Sequence, residues 1–336
     1  MLGNLSFSRF KAYFRPLEPV RLPSYTGSAL RGGLGHGMRR VRYGMKDGCT
    51  GCTARAECRY GSLYAYLFES PFDHPFIEPA HHELAPRLKR ETYPQPFILD
   101  PPPGGELGPG EILSLPFTLV GKAISHFPFV ACALTAMGAA GLGRGKGQAR
   151  LEAVSGLSPS GNGDEAPIYH GELEEMVGPA EVADFQLVRK WTEESLRSPS
   201  SVAAVRLRFL TPFRYKVEGR LGRPLTFEIL MKNLLRRFAL LSVHSPLTFA
   251  PDHRGLLALA SRVSTASSTL RWHQWERYSN RQKGWMNLDG FVGEIAFEGN
   301  MAPFLPYLRM GEFLNVGKDA SFGLGKYELS FTAEPG

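Results

Sequence analysis

The chain has 336 residues, of which 43% are hydrophobic and 21% are charged, a balance typical of a globular protein with room for two domains. A net charge of +7 and a pI near 9.2 favour a polyanionic partner. No apolar run approaches the length of a membrane span, and the N-terminus lacks a signal peptide's apolar segment, so the sequence predicts a cytoplasmic protein without a membrane partner.

The first predicted strand spans residues 5–14 and alternates in character. Phe10 and Phe14 lie on one face and are suited to a core. The other face interleaves aromatic and cationic side chains such as Lys11 and Tyr13, which is the chemistry of an RNA-binding sheet. A half-exposed strand with solvated charges fits the same pattern.

A helix is predicted next, capped by Thr26 or Ser28 and ending near Arg42. It contains four glycines within residues 32–37, and each costs about 1 kcal/mol relative to alanine. We therefore expect another backbone to approach this helix closely. The sheet, a second domain or an RNA strand could be that neighbour.

Three cysteines, Cys49, Cys52 and Cys58, follow in a polar segment. Their clustering fits a metal site, with Zn²⁺ as the first candidate and an iron–sulfur cluster as another. Reduced thiols in a loop are the ordinary alternative, because cytoplasmic disulfides are uncommon. Candidates for a fourth ligand are His74, His81, His82 and Asp47.

Two glycine-rich basic loops, within residues 138–151 and 311–327, each lie between an apolar segment and a predicted strand. Their glycines can take positive φ and let backbone N–H groups converge on an anion. The loop within residues 311–327 has neither a Walker motif nor the spacing of a dinucleotide-binding fingerprint. An ordinary glycine-rich hairpin is the alternative for each.

The order β-α-β-β-α-β occurs twice, which indicates a duplicated unit. In the second copy, Val205, Leu207 and Phe209 alternate with arginines, and Thr226 caps a helix. A stretch rich in Ser, Gly and Pro separates the copies. The predicted organisation is an N-terminal domain at 1–154 with a Cys-containing insertion at about 44–100, a linker with bridging helices at 155–199, and a C-terminal domain at 200–336.

Four segments resemble the CRISPR repeat-processing endoribonucleases of the RAMP superfamily: Leu22–His36 with the cysteine cluster after it, Arg277–Gln282, Leu288–Gly293 and Val316–Tyr327. The resemblance spans nearly the whole chain. It implies an α+β fold of two tandem ferredoxin-like (RRM-like) domains, with a Cys-rich insertion in the first. It also implies binding of CRISPR repeat RNA and metal-independent cleavage of precursor CRISPR transcripts into guide RNAs.

Two other functions compete with this one. The first is that of a non-catalytic RAMP subunit, which holds guide RNA among other CRISPR effector subunits. The second is that of a metal-dependent nuclease, which would use the cysteines as a catalytic site.

RNA cleavage without a metal needs a base near the 2′-hydroxyl, an acid for the leaving 5′-oxygen and cations around the phosphate, and it ends in a 2′,3′-cyclic phosphate. His36 is the leading acid–base candidate, because Arg39 and Arg40 lie about one helical turn away and disfavour the imidazolium. The resemblance adds Tyr25 and Lys46 as partners. A structural or phosphate-contacting role is the alternative for His36.

His273 is the second acid–base candidate, because Trp272 and Trp275 beside it could stack on RNA bases. Packing in the core or on a sheet is the favoured role of these tryptophans. No cofactor is expected to be required for catalysis. The residues expected to contact RNA are Arg31, Arg40, Arg144, Lys146, Gly317, Lys318, Gly323, Gly325 and Lys326.

Overall fold

The computed structural model describes residues 5–41, 63–77, 92–158, 160, 163–196, 202–217, 220–221, 224–246, 251–279 and 284–333. They form a mixed α/β structure with antiparallel sheets and two compact units. The N-terminal unit comprises Ser6–Ala183 and Leu241–Pro246, and the C-terminal unit comprises Met1–Leu5, Asp184–Leu240 and Leu247–Gly336. Within the described ranges, no helix combines the length and the apolar character needed to cross a bilayer.

The N-terminal unit contains two α-helices and a set of strands in its described residues. The helices are α1 (Thr26–Arg40) and α2 (Phe127–Ala139). The strands are β1 (Phe7–Pro16), β2 (Val20–Leu22), β3 (Phe97–Leu99), β4 (Gly105–Leu107), β5 (Leu113–Val120), β6 (Ala149–Leu157), β7 (Glu165–His170) and β8 (Glu175–Met176). A π-helical turn occupies Ala65–Glu69, and 3₁₀-helical turns occupy Gly121–His126 and Ser242–His244.

Strand β1 is an inner strand of the N-terminal sheet, whose order is β3-β5-β1-β6-β7-β8 with antiparallel neighbours. As its alternation predicts, Phe10 and Phe14 are fully buried. The ring of Phe10 stacks on Phe117 of β5 and on Phe127 of α2, at centroid distances of 5.1 and 4.6 Å. Removal of these rings from water stabilises the unit. The core is therefore assembled on this face of β1.

The opposite face of β1 carries the predicted mixture of aromatic and cationic side chains, and its cations are paired. Lys11 Nζ lies 2.9 Å from a carboxylate oxygen of Glu165 on β7. Tyr13 donates a hydrogen bond to the same carboxylate. Arg15 forms a two-point ion pair with Glu152. Such partly exposed pairs add little stability, but they offset positive charge that a phosphate group would otherwise meet.

Residues 155–199, which were expected to form a linker, partly extend the N-terminal sheet. Strand β6 continues to Leu157, and β7 and β8 follow it in the sheet order. Ile168 and Tyr169 of β7 are 1% and 4% exposed. These two adjacent apolar side chains anchor a strand whose other residues are polar or small, so composition alone favours a loop there. The later part of the range contains a helix of the C-terminal unit.

The C-terminal unit also combines helices with antiparallel strands. Its helices are α3 (Phe185–Glu194), α4 (Phe227–Leu241), α5 (His253–Ala260) and α6 (Leu305–Leu314). Its strands are β9 (Val202–Phe213), β10 (Lys216–Val217), β11 (Arg220–Leu221), β12 (Ser264–Ser268), β13 (Arg271–His273), β14 (Glu276–Ser279), β15 (Gly284–Asn287), β16 (Gly290–Glu298) and β17 (Tyr327–Ala333).

Strand β9 organises the C-terminal sheet, which has the order β12-β16-β9-β17, with β13 also paired to β16. The predicted alternation is confirmed, because Val205, Leu207 and Phe209 are all at most 3% exposed. The cap of α4 is confirmed too: the Ile229 N–H donates to the Thr226 hydroxyl at 3.3 Å. Local sequence signals therefore define the central strand and the first long helix of this unit.

Gly35 and Gly37 of α1 pack against an aromatic ring and against α2. A Cβ at Gly37 would lie 2.1 Å from the backbone oxygen of Ala133 on α2, and one at Gly35 would lie 2.6 Å from the ring of Phe68. The expected close approach to a backbone is therefore present. The neighbour is another helix of the same unit, which was not among the three candidates named from the sequence.

Alanine at two positions of α1 should change stability in opposite directions. A Cβ at Gly32 meets nothing within 4 Å, so Gly32→Ala should raise the free energy of unfolding by up to about 1 kcal/mol through helix propensity. Gly37→Ala should lower it by about 1–3 kcal/mol, because the new methyl group overpacks the contact with α2. Urea denaturation of both variants measures the difference, and equal changes would contradict this packing.

Candidate functional site

His36 lies on the exposed side of α1, close to the end of the helix. Residues three and four apart on a helix are surface neighbours. Arg39 and Arg40 therefore emerge beside His36, and all three side chains are exposed. The C-terminal end of the helix dipole also favours cations at this position. This end of α1 gathers one imidazole and two guanidinium groups on a surface that solvent can reach.

The N-terminal glycine loop, defined as residues 141–147, brings a further cation to this surface. Its Arg144 N–H donates to the backbone oxygen of Arg21 at 2.7 Å, which fixes the loop to β2. A Cβ at Gly143 would lie 2.2 Å from that same oxygen, so glycine is required for the contact. Arg144 and Lys146 are exposed, and the charge of Lys146 acts on His36.

The pKa of His36 is lowered from its ordinary value. Partial desolvation of the ring is the largest cause, and the positive charges of Arg39, Arg40 and Lys146 add to it. The side chain is nevertheless exposed overall, so it can still meet a substrate. A neutral imidazole can accept a proton near neutral pH, and cations around it can hold a phosphate.

Aromatic side chains contact two arginines of α1, Arg31 and Arg39. Arg39 Nη2 donates a hydrogen bond to the Tyr64 hydroxyl at 2.6 Å, and its guanidinium lies 5.0 Å from the centre of the Tyr64 ring. The Tyr64 ring stacks on Phe68 at 5.5 Å. The guanidinium of Arg31 lies 4.2 Å from the centre of the Phe68 ring. The sequence analysis did not predict a role for Tyr64 and Phe68. Their spacing of four residues, which places them on one face of a helix, is the sequence signal that could have indicated it.

Tyr25 is the N-cap residue of α1 and is 6% exposed. The predicted cap by Thr26 or Ser28 is wrong, because both residues lie inside the helix. The Thr26 hydroxyl donates instead to the backbone oxygen of Pro102. At a helical rise of about 1.5 Å per residue, the backbones of Tyr25 and His36 are roughly 16 Å apart along the axis. The structure thus does not bring this predicted pair together along α1. Lys46 lies outside the described residues.

The predicted metal ligands lie mainly outside the described residues; these are Cys49, Cys52, Cys58, Asp47, His81 and His82. His74 is described and buried. Its ring centre lies 5.4 Å from that of Tyr66, and its Nδ1 accepts a hydrogen bond from the Phe76 N–H at 3.2 Å. Among the described residues, no three His, Cys, Asp or Glu side chains are grouped as a metal site.

The C-terminal glycine loop, defined as residues 315–326, folds tightly on the end of β9. A Cβ at Gly325 would lie 1.7 Å from the Val316 backbone oxygen, and one at Gly317 would lie 2.4 Å from that of Arg214. Six N–H groups of the loop donate within the protein; they belong to Val316, Lys318, Phe322, Gly323, Gly325 and Lys326. The expected convergence on an anion is therefore not found at these six donors, which instead stabilise the loop.

His273, the second acid–base candidate, lies on β13 in the C-terminal unit. Its ring meets that of Trp275 edge-on at 5.3 Å. Trp272 meets Phe291 of β16 edge-on at 5.1 Å and remains 39% exposed. These contacts fit the packing role that the sequence favours for the two tryptophans.

The outward arginines of β9 are paired with carboxylates on both neighbouring strands. Arg206 lies 3.2 Å from Glu294 of β16, and Arg208 lies 2.6 Å from Glu328 of β17. The partners are 88 and 120 residues away in sequence, so the pairs cannot be read from local pattern. As on β1, carboxylates offset cations on the outward face of the sheet.

Two family models match the chain. Residues 5–181 match the model AF_1859_N, described as an N-terminal domain. Residues 207–327 match the model of CRISPR-associated endoribonuclease Cas6. A comparison with curated proteins found no match.

Solved structures share the fold at low sequence identity. A Cas6 product complex matches with a TM-score of 0.57 and 19% identity, over 96% of this chain and 100% of the other. Cas6 of Thermus thermophilus matches with a TM-score of 0.52 and 16% identity, over 97% and 99%. A partial Cas6-RT-Cas1–Cas2 complex matches with a TM-score of 0.55 and 14% identity, over 99% of this chain and 47% of that longer chain.

The mixed α/β fold with its antiparallel sheets is thus shared with these Cas6 structures. The resemblance seen in the sequence is confirmed. Residues 207–327 thus match the CRISPR-associated endoribonuclease Cas6 family, and residues 5–181 match a family described as an N-terminal domain.

Proposed function

We propose that this protein binds CRISPR repeat RNA and cleaves precursor CRISPR transcripts into guide RNAs. The observation that carries the proposal is the exposed His36, whose pKa is lowered by partial desolvation and by the charges of Arg39, Arg40 and Lys146. One surface then offers both a proton acceptor and charge for a phosphate. The match of residues 207–327 to the Cas6 endoribonuclease model supports this assignment.

The proposed reaction is an intramolecular transesterification. His36 accepts the proton of the 2′-hydroxyl, the 2′-oxygen forms a bond to phosphorus, and the bond from phosphorus to the 5′-oxygen breaks. The imidazolium returns its proton to the 5′-oxygen, which leaves a 2′,3′-cyclic phosphate and a 5′-hydroxyl. Arg39, Arg40 and Lys146 stabilise the negative charge that grows on the phosphate oxygens. This route requires no metal or other cofactor.

The resemblance also assigns Tyr25 and Lys46 to the catalytic set. Because Tyr25 begins α1 roughly 16 Å from His36 along the helix axis, we propose that it supports the site indirectly and that His36 itself returns the proton. Lys46 follows the end of α1 by six residues. We propose that it adds positive charge for the phosphate.

We further propose that each unit is a ferredoxin-like (RRM-like) domain. In the N-terminal unit, β1, α1, β3, β5, α2 and β6 follow the order β-α-β-β-α-β, and the sheet neighbours β6-β1-β5-β3 place the first strand between the fourth and the third. In the C-terminal unit, β9, α4, β12, β16, α6 and β17 give the corresponding neighbours β17-β9-β16-β12. This shared plan supports a duplicated fold.

Replacing His36 by alanine should separate cleavage from binding. We expect His36→Ala to keep repeat-RNA affinity within a few-fold but to cleave at least about 100-fold more slowly in single-turnover assays with EDTA, since it loses the acid–base group. Wild-type protein in the same buffer is the control, and its product should carry a 2′,3′-cyclic phosphate. Near-normal cleavage by His36→Ala would contradict the assignment and point to His273 or to Tyr25 with the arginines.

The same assay distinguishes the competing functions. Wild-type protein that binds repeat RNA without cleaving it would be a non-catalytic RAMP subunit, which holds guide RNA within an effector complex. Cleavage that appears only when a divalent metal is restored would identify a metal-dependent nuclease. In the favoured function, we propose that the guide RNA passes to other CRISPR effector subunits.

We propose that both glycine loops contact the RNA backbone. The N-terminal loop would do so through the exposed Arg144 and Lys146, and the C-terminal loop through Lys318 and Lys326. The glycines of the C-terminal loop act indirectly in this proposal, because the tight packing that they permit presents the lysines. They are Gly317, Gly323 and Gly325. Arg31 and Arg40 would add charge along α1.

Removal of the two loop lysines should reduce the salt dependence of RNA binding. Replacing Lys318 and Lys326 together by alanine should weaken affinity and lower the slope of log K against log salt by about 1.4, at about 0.7 per phosphate contact. Replacing Lys190 and Lys232, which are exposed on helices of the same unit, is a control with the same charge loss. An unchanged slope in the loop variant, or an equal change in the control, would exclude this contact.

We propose that Cys49, Cys52 and Cys58 bind one structural zinc ion that takes no part in catalysis. Thiolates are preferred zinc ligands, and these three lie close together in the sequence. Metal analysis of the folded protein should give about one equivalent of zinc. Serine at the three positions should abolish it, whereas Cys132→Ser, at an exposed cysteine on α2, should not. Less than about a tenth of an equivalent of any metal would exclude the site, and iron would identify a cluster.

A further inference from the structure

One face of α1 rests on a pair of aromatic side chains, Tyr64 and Phe68. Arg31, Gly35 and Arg39 are four residues apart along the helix and so share a face. Arg31 stacks over Phe68, Arg39 stacks over Tyr64, and a Cβ at Gly35 would collide with the Phe68 ring. The glycine lets the helix lie directly on this platform, which brings Tyr64 within reach of Arg39.

Tyr64 engages Arg39 through both its hydroxyl and its ring. The hydrogen bond to the hydroxyl is 2.6 Å long, and the guanidinium lies 5.0 Å from the ring centre. Tyr64 is 3% exposed, and its ring is stacked on Phe68 with 17° between the planes. The hydroxyl is therefore a fixed acceptor, while Arg39 is a flexible and exposed side chain. Two contacts to one rigid ring restrict the orientation of the guanidinium.

We propose that Tyr64 is a positioning residue for RNA cleavage, which holds the guanidinium of Arg39 beside His36 where the scissile phosphate binds. This inference rests on the proposed function. Tyr64 itself touches no reacting atom, because its ring is buried under the arginine. Phe68 backs the Tyr64 ring and is in turn stacked with Phe97 of β3 at 6.1 Å. The core of the N-terminal unit thereby fixes a surface charge.

Such a residue should affect the rate of cleavage more than affinity for RNA. An arginine released from Tyr64 still attracts a polyanion, since electrostatic attraction acts over several ångströms. It no longer presents its N–H donors in one direction when charge develops on the phosphate. We therefore expect Tyr64→Phe, which keeps the ring but removes the hydroxyl, to slow single-turnover cleavage by about tenfold, the scale of a hydrogen bond to a charged group. Affinity should stay within about twofold.

Tyr66→Phe is the matched control. It removes the same hydroxyl from a buried tyrosine two residues away, and the Tyr66 hydroxyl has no hydrogen-bond partner among the described residues. Its cleavage rate should stay within about twofold of wild type, because no hydrogen bond is lost. Thermal melting of both variants shows whether either one has lost its fold.

A double-mutant cycle with Arg39→Ala tests whether Tyr64 acts through the arginine. If it does, adding Tyr64→Phe to Arg39→Ala should change the rate by less than about twofold. The NMR titration of His36 is a second readout that needs no RNA. The Arg39 charge lowers the pKa of His36, so Tyr64→Phe should raise that pKa in the wild-type background and leave it unchanged in Arg39→Ala.

The outcomes separate this inference from the function on which it rests. Wild-type protein that does not cleave repeat RNA overturns the proposed function and this inference with it. Cleavage by wild type together with full-speed cleavage by Tyr64→Phe overturns the inference alone. An undiminished effect of Tyr64→Phe in the Arg39→Ala background also overturns it, because Tyr64 would then be merely structural.

Discussion

The arrangement of the candidate site depends on the contact between the backbone of α1 and the backbone of α2. Any side chain at Gly37 would collide with the Ala133 carbonyl, which would stand 2.1 Å from its Cβ. Glycine lets α1 lie flush on α2, and the turn that carries Gly35 can then rest on Phe68. With these two sides of the helix fixed against protein, the side that carries His36 is the one that faces solvent.

Much of the fold follows from local sequence, and the parts that do not are long-range. Alternation defines β1 and β9 because a strand with one buried face must repeat every two residues. The strand β7 was missed because its burial rests on Ile168 and Tyr169 alone. The carboxylates that face the outward cations of both sheets were also missed, since Glu165 lies 154 residues from Lys11 and no local pattern encodes such a pairing.

The candidate site likewise contains groups that local sequence predicts and groups that only tertiary contacts bring together. The grouping of His36, Arg39 and Arg40 follows from helical spacing alone. The proximity of Lys146 depends on how a glycine loop folds back on β2, which is a tertiary contact. The aromatic support from Tyr64 depends on a segment 25 residues from Arg39. Sequence pattern thus finds reactive groups that share an element, and it misses groups that only packing brings together.

The backbone of Lys146 has a wider consequence. Its φ of 56° is one that glycine adopts freely and that costs a residue with a side chain roughly 1 kcal/mol. Glycine at this position would relax the loop but remove the cation near His36. Stability and the proposed activity are therefore opposed at a single residue. If the proposed cleavage were no longer needed, glycine at this position would be tolerated and would relieve the backbone strain, whereas any other residue would keep that strain.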